Sequence, residues 1–161
     1  MVRPFKLPSM SEKEIDELIN QQFLCRIAFI SKDGPYIAPF QYVVMDGSLY
    51  FHFTDYGSKI GFLKESNKVC VEIEKYTPNL DEYSFVILKG YLENVVDRQE
   101  KKRAIKKMAE FGKANLSNRF LYAHGFDSQD GWSVFDDEQE FLIIKLGKVD
   151  YKKGLKSPSK K

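Results

Sequence analysis

The chain has 161 residues, enough for one domain with a sizeable core. A net charge of +2, with 43% hydrophobic and 30% charged residues, is that of an ordinary soluble globular protein, and nothing in the overall charge calls for a nucleic-acid partner. No apolar run approaches the roughly 20 residues that span a bilayer, and Met1 to Met10 lack the apolar segment of a signal peptide. Cytoplasmic localisation is therefore expected. Cys25 and Cys70 each sit inside an apolar run without metal-type spacing, which suits buried, reduced thiols. The 13 Phe and 9 Tyr tilt the reading toward a sheet-rich fold.

In chain order, Ser11-Glu12-Lys13-Glu14 reads as a capping box, and Ile15, Leu18 and Ile19 follow at helical spacing to about Gln22. Cys25 to Ser31 reads as a strand ending in a Lys32-Asp33-Gly34-Pro35 turn. A second strand is expected from Tyr36 to Met45. Pro39 inside it cannot donate a ladder hydrogen bond, so that strand is an edge or is bulged there. Asp46-Gly47, flanked by Val43, Val44, Leu49 and Phe51, is a two-residue hairpin signal.

Leu49 to Phe53 is then a strand, followed by a turn into a short helix that opens on Gly57-Ser58-Lys59. Val69 to Ile73 alternates apolar and polar, and a long strand is expected from Tyr83 to about Val96. Asp97 caps the next helix, with Ile105, Met108 and Ala109 as its buried stripe. Residues 112 to 131 read as a long connection, and Phe141 to Leu146 as a last strand, with Lys148 to Tyr151 extending it. Five lysines without acids from residue 152 onward read as a solvated tail, so the domain is placed at 1–150 and the tail at 151–161. The expected architecture is mainly β: about six antiparallel strands in a barrel, with flanking helices.

The helix start at Gly57-Ser58-Lys59 offers backbone N–H groups, a hydroxyl and a cation at one spot, which suits a phosphate. The alternative is an ordinary cap at Ser58 with Lys59 in solvent. The spacing is not that of a P-loop. His52, inside a strand among Tyr50, Phe51 and Phe53, reads as a wall residue before a catalyst. His52 and His124 are isolated and make no metal signature, so no metal site is assigned. Trp132 could pack in the core or stack on a planar ligand. An aromatic barrel could also hold single-stranded nucleic acid, but the lysines concentrate in 101–107 and the tail rather than on a sheet face, and no nucleic-acid partner is expected.

Cys25 to Phe29, Gly34 to Phe40, Asp46 to His52, and Gly57-Ser58-Lys59 with Leu63 together resemble the FMN-binding split-barrel proteins related to pyridoxamine 5′-phosphate oxidase. Within these the resemblance is closest to the 5-nitroimidazole-resistance (Nim) type, and it covers roughly residues 11 to 150. It implies a six-stranded split barrel and a homodimer with FMN at the subunit interface. It also implies that the second strand, at Pro39, Phe40, Gln41 and Tyr42, runs beside the flavin ring. His52, Phe53, Ser58 and Lys59 would hold the phosphate. The implied activity is that of a flavin-dependent oxidoreductase passing electrons to a small organic acceptor. A non-enzymatic flavin carrier and a deazaflavin- or haem-binding barrel are the alternatives. The cofactor carries such chemistry, so no catalytic side chain is assigned; His52 and Tyr42 are the possible tuners. The chain departs from the oxidases in having Ser58-Lys59 where they have an Arg-Lys pair and no basic residue at Gln41 to Val44. Their C-terminal arginine motif is not evident either, which weakens the case for pyridoxamine phosphate as substrate.

Overall fold

The computed structural model describes residues 6–54, 57–123, 131–136 and 141–158; His124 lies outside them. Seven strands form one sheet: β1 (Leu24–Ser31), β2 (Gly34–Gln41), β3 (Val43–Met45), β4 (Ser48–Phe53), β5 (Lys68–Tyr76), β6 (Tyr83–Asn94) and β7 (Leu142–Lys156). Their order is β2-β1-β5-β6-β7-β4-β3, and every neighbouring pair is antiparallel. β2 and β3 thus occupy opposite edges of the sheet, yet only Tyr42 separates them in sequence. One residue advances the chain by less than about 4 Å, so the two edges must meet at Tyr42 and the sheet must curl into a barrel.

This crossing explains why seven strands stand where six were expected. Residues 36–45 form two strands because the chain changes partner, from β1 at Gln41 to β4 at Val43. Tyr42 is pinned at the crossing. Its N–H donates to the Phe23 carbonyl at 2.9 Å and its hydroxyl to the Ile19 carbonyl at 2.7 Å. As expected from Pro39, β2 is an edge strand. The Asp46-Gly47 hairpin has φ of 51° and 76° at its two central residues, the positive pair that a right-twisted two-residue turn requires.

The barrel interior is filled by alternate residues of the strands, among them Ile27, Phe29, Phe40, Phe51, Phe53, Val71, Ile73 and Val86, with Ile15 and Leu18 closing one end. Those two come from helix α1 (Glu12–Gln21), which carries the expected reciprocal cap between Ser11 and Glu14. α2 (Ser58–Glu65) follows β4 and buries no residue fully. α3 (Arg98–Asn115) lies over the outer face of β3, β4 and β7, where Val43, Met45, Tyr50, Val95, Ala104, Phe141 and Ile143 form a second core.

Part of the long connection expected over 112–131 is helical. α3 continues to Asn115, α4 spans Asn118–Ala123, and a 3-10 turn spans Gly131–Asp136. Gly112, where the expected connection begins, lies inside α3, and its missing side chain makes room for the Trp132 indole, whose ring carbons a Cβ there would strike. Residues 151–156 of the segment expected as a basic tail are strand, because β7 runs to Lys156. Along it Lys152, Gly154 and Lys156 alternate toward α1. Lys152 pairs with Glu12 and, at 3.9 Å, with Asp16; Lys156 pairs with Glu14. Buried Gly154 sits against Ile15 and Met10. No helix among the described residues is long and apolar enough to cross a membrane.

Candidate functional site

At the seam where β2 approaches β4, a cavity of about 510 Å³ opens between the sheet and the α3–α4 side of the molecule, a size typical of small-molecule sites. Seven of the eight residues expected around a cofactor line it: Pro39, Phe40, Gln41, Tyr42, His52, Phe53 and Lys59. They come from the end of β2, the crossing, the end of β4 and the start of α2. Ser58 is not on the wall. It is exposed and forms the first residue of α2 beside Lys59.

The cap of α2 is Gly57, with φ of 96° and no side-chain hydrogen bond to the helix. Ser58 is therefore not the cap, and the helix start, whose positive dipole end and first-turn N–H groups suit an anion, has a cap residue without a side chain. Lys59 is the one formally charged side chain lining the cavity among the described residues. Its Nζ lies 4.8 Å from the centre of the Phe40 ring. Phe40 is in turn stacked on Phe53 at 4.8 Å and 22°. The ammonium is thus held at the cavity on an aromatic support.

His52 points out of the barrel interior and meets Phe141 edge-on at 5.2 Å. Tyr42 contributes to the wall, but its hydroxyl proton is committed to Ile19, and burial followed by the nearby Cys25 raises its pKa. It stays a neutral phenol whose donor is spent on α1, so it cannot tune a ligand through that proton. Cys25 behaves alike: burial pushes its thiol up, as for an inert core cysteine. Among the described residues there is no group of three or more potential metal ligands.

Of the opposite wall, the sequence reading weighed Trp132 alone, as a core residue or a stacking one. Phe120, Leu121, Tyr122 and Ala123 of α4, with Trp132 and Phe135 of the 3-10 turn and Met108 of α3, complete the cavity. Phe120, Trp132, Phe135 and Phe141 stack in series, at 6.4, 5.6 and 5.1 Å with interplanar angles of 10°, 21° and 16°. Buried Trp132 Nε1–H has no acceptor among the described residues. The Phe120-Leu121-Tyr122 run was the available signal, and its place in a polar stretch obscured it.

The family model for pyridoxamine 5′-phosphate oxidase matches residues 11–121. Several solved structures share the fold. A protein from Mesorhizobium loti described as FAD-binding is 15% identical, with a TM-score of 0.65 over 96% of this chain and 98% of that one. A candidate 5-nitroimidazole antibiotic resistance protein from Bacteroides thetaiotaomicron is 21% identical, with a TM-score of 0.64 over 96% of this chain and 92% of that one. A haem-binding protein from Mycobacterium smegmatis is 14% identical, with a TM-score of 0.65 over 99% of this chain but 57% of that one. Among curated proteins none matches. Sequence match and barrel topology agree, and the chain belongs to the pyridoxamine 5′-phosphate oxidase family.

Proposed function

We propose that the protein binds FMN and acts in the cytoplasm as a flavin-dependent oxidoreductase that reduces a small organic acceptor. The observation that carries this reading is the convergence of the β2 end, the β4 end and Lys59 on one cavity. Lys59, Ser58 and the uncapped first turn of α2 would hold the phosphate. Residues 39–42 would run along the flavin ring, with Phe40 and Phe53 keeping water from it. The flavin, when bound, supplies the electron transfer. The side chains position it and exclude solvent, and His52 lies on the wall beside it. Free Cys25 and Cys70 suit a reducing compartment.

A homodimer belongs to the same proposal, with the flavin shared at the subunit interface. The outer face of the β1–β2 edge supports it: Leu24, Ile30 and Ile37 are exposed there, on the strand pair that carries Pro39 and Gln41 to the cavity.

The anchoring is tested by flavin fluorescence titration. Lys59→Ala should leave the fold intact and weaken FMN binding at least about tenfold, the equivalent of losing one charge-assisted contact. Unchanged affinity would sink the phosphate assignment. Haem and deazaflavin are the competing cofactors and a passive flavin carrier the competing role. The absorption spectrum of the purified protein separates the cofactors. Reoxidation of the reduced, loaded protein by acceptors no faster than free FMN would favour the carrier.

A further inference from the structure

We infer that Phe40 is a positioning residue for the phosphate anchor. Its ring sets the Lys59 ammonium in place, and with it the preference for a phosphorylated over an unphosphorylated flavin. This deepens the proposed function and rests on the reading that Lys59 takes the FMN phosphate. A lysine at the start of a short helix is a poor anchor by itself. Its stem is long and flexible, and ordering that stem at the moment of capture lowers affinity. α2 does little to help, because it has only 8 residues and buries none of them fully.

The aromatic residues around the end of β2 supply what the helix lacks. Lys59 and Phe62 are one turn apart and share a face of α2. Phe62 lies on Tyr36 at 4.8 Å and on Phe29 at 6.1 Å, and the Lys59 Nζ lies 4.8 Å from the centre of Phe40. Phe29 and Phe40 are themselves neighbours at 6.0 Å, so both α2 side chains rest on one aromatic cluster. Phe40 is 7% exposed, and its plane is held by Phe53 stacked at 4.8 Å and by Phe51 edge-on at 6.2 Å. The negative face of a held ring draws the ammonium to one place. An ammonium has three N–H donors, so contact with a ring leaves donors for phosphate oxygens. Phe40, Phe53 and Lys59 line the same cavity, so the supported cation stands at the ligand's edge of the cluster.

The test compares FMN with riboflavin, which differ by the phosphate alone. Fluorescence titration of both gives a ratio of affinities in which contacts to the flavin ring divide out. The full chain is set against forms carrying mono-, di- and trifluorinated phenylalanine in place of Phe40. Fluorine withdraws electron density from the ring face and changes its size little, so the fold and the cavity shape are kept. The preference for FMN should fall stepwise along the series, by at least about threefold at the trifluorinated ring, the worth of one partly exposed cation–π contact. Repeating the series on Lys59→Ala should leave the preference flat, because the ring then has no cation to place. A preference that holds or rises along the series with Lys59 present would overturn the inference and leave the phosphate assignment standing. A decline of the same size with Lys59→Ala would overturn it too. Wild-type protein that binds FMN no more tightly than riboflavin removes the parent reading and this one with it.

Discussion

Gly61 and Gly112 both interrupt helices, and the space around each decides what a methyl group would do there. Gly61 of α2 is exposed, and a Cβ at that position would meet nothing within 4 Å, so the close packing that would justify a glycine is missing. Gly61→Ala should raise stability by about 0.5–1 kcal/mol through helix propensity alone. Gly112 of α3 is buried, and a Cβ there would collide with the six-membered ring of Trp132. Gly112→Ala should therefore lower stability by about 1–3 kcal/mol, the usual cost of overpacking, despite alanine's better propensity. Thermal unfolding of both variants gives the two signs, and Trp132 emission should shift only for Gly112→Ala. In sequence the two helical glycines look alike. Only the neighbours of each, set by distant segments, separate them.

At the scale of elements, α3 is fastened to the barrel by a polar contact inside its apolar seat. Tyr50 and Lys145 face each other in the β4–β7 register, and both donate to Glu100 Oε1 of α3, at 2.6 and 2.8 Å. The Lys145 and Glu100 side chains are 26% and 19% exposed, whereas the Arg103–Asp46 pair nearby is 58% and 64% exposed and worth little. The hydrogen bonds from Lys145 and Tyr50 hold the Glu100 carboxyl below its ordinary pKa, while burial and Glu100 push the Tyr50 phenol up to about 12. A depressed carboxyl pKa contributes stability that is complete above its unfolded value and lost as pH falls through the folded one. Glu100→Gln should cost about 1–2 kcal/mol at pH 7, and the difference from wild type should shrink below about pH 4. Urea melts across that range check both parts; a constant difference would place the effect in packing. The elements themselves were unevenly legible. Ser11–Glu14, Asp46-Gly47 and Asp97 announced a helix, a hairpin and a helix through purely local chemistry. The break at Tyr42 was hidden, because a change of strand partner leaves no mark on the apolar pattern. Strand 151–156 was hidden because its lysines answer acids on α1, far away in sequence.

For the whole molecule, Leu24, Ile30 and Ile37 are exposed on the outer face of one edge hairpin, with Arg26 between Leu24 and Ile30, and exposed apolar side chains of this kind suit an interaction surface. If the proposed dimer uses it, sedimentation should give a dimer at micromolar protein, and Ile37→Glu should yield a folded monomer with weakened FMN binding. A flavin-loaded wild-type monomer would remove the shared interface. The cavity's sheet wall was readable before the structure because family resemblance and the helix start at Lys59 agreed. Its α4 wall was not, because it depends on how residues 108–135 fold back over the barrel. The one-residue crossing at Tyr42 also constrains the route to the native state. The β1–β2 and β3–β4 hairpins can each form locally, but β4 finds its second neighbour only in β7, across about 90 residues of chain, as in the Phe53–Leu142 pairing. Until that strand emerges from the ribosome, the β3–β4 hairpin hangs from Tyr42 with one flank unpaired. Closure is thus a late, long-range event, and the cavity, which lies where β2 approaches β4, is complete only once β4 is held in place by β7.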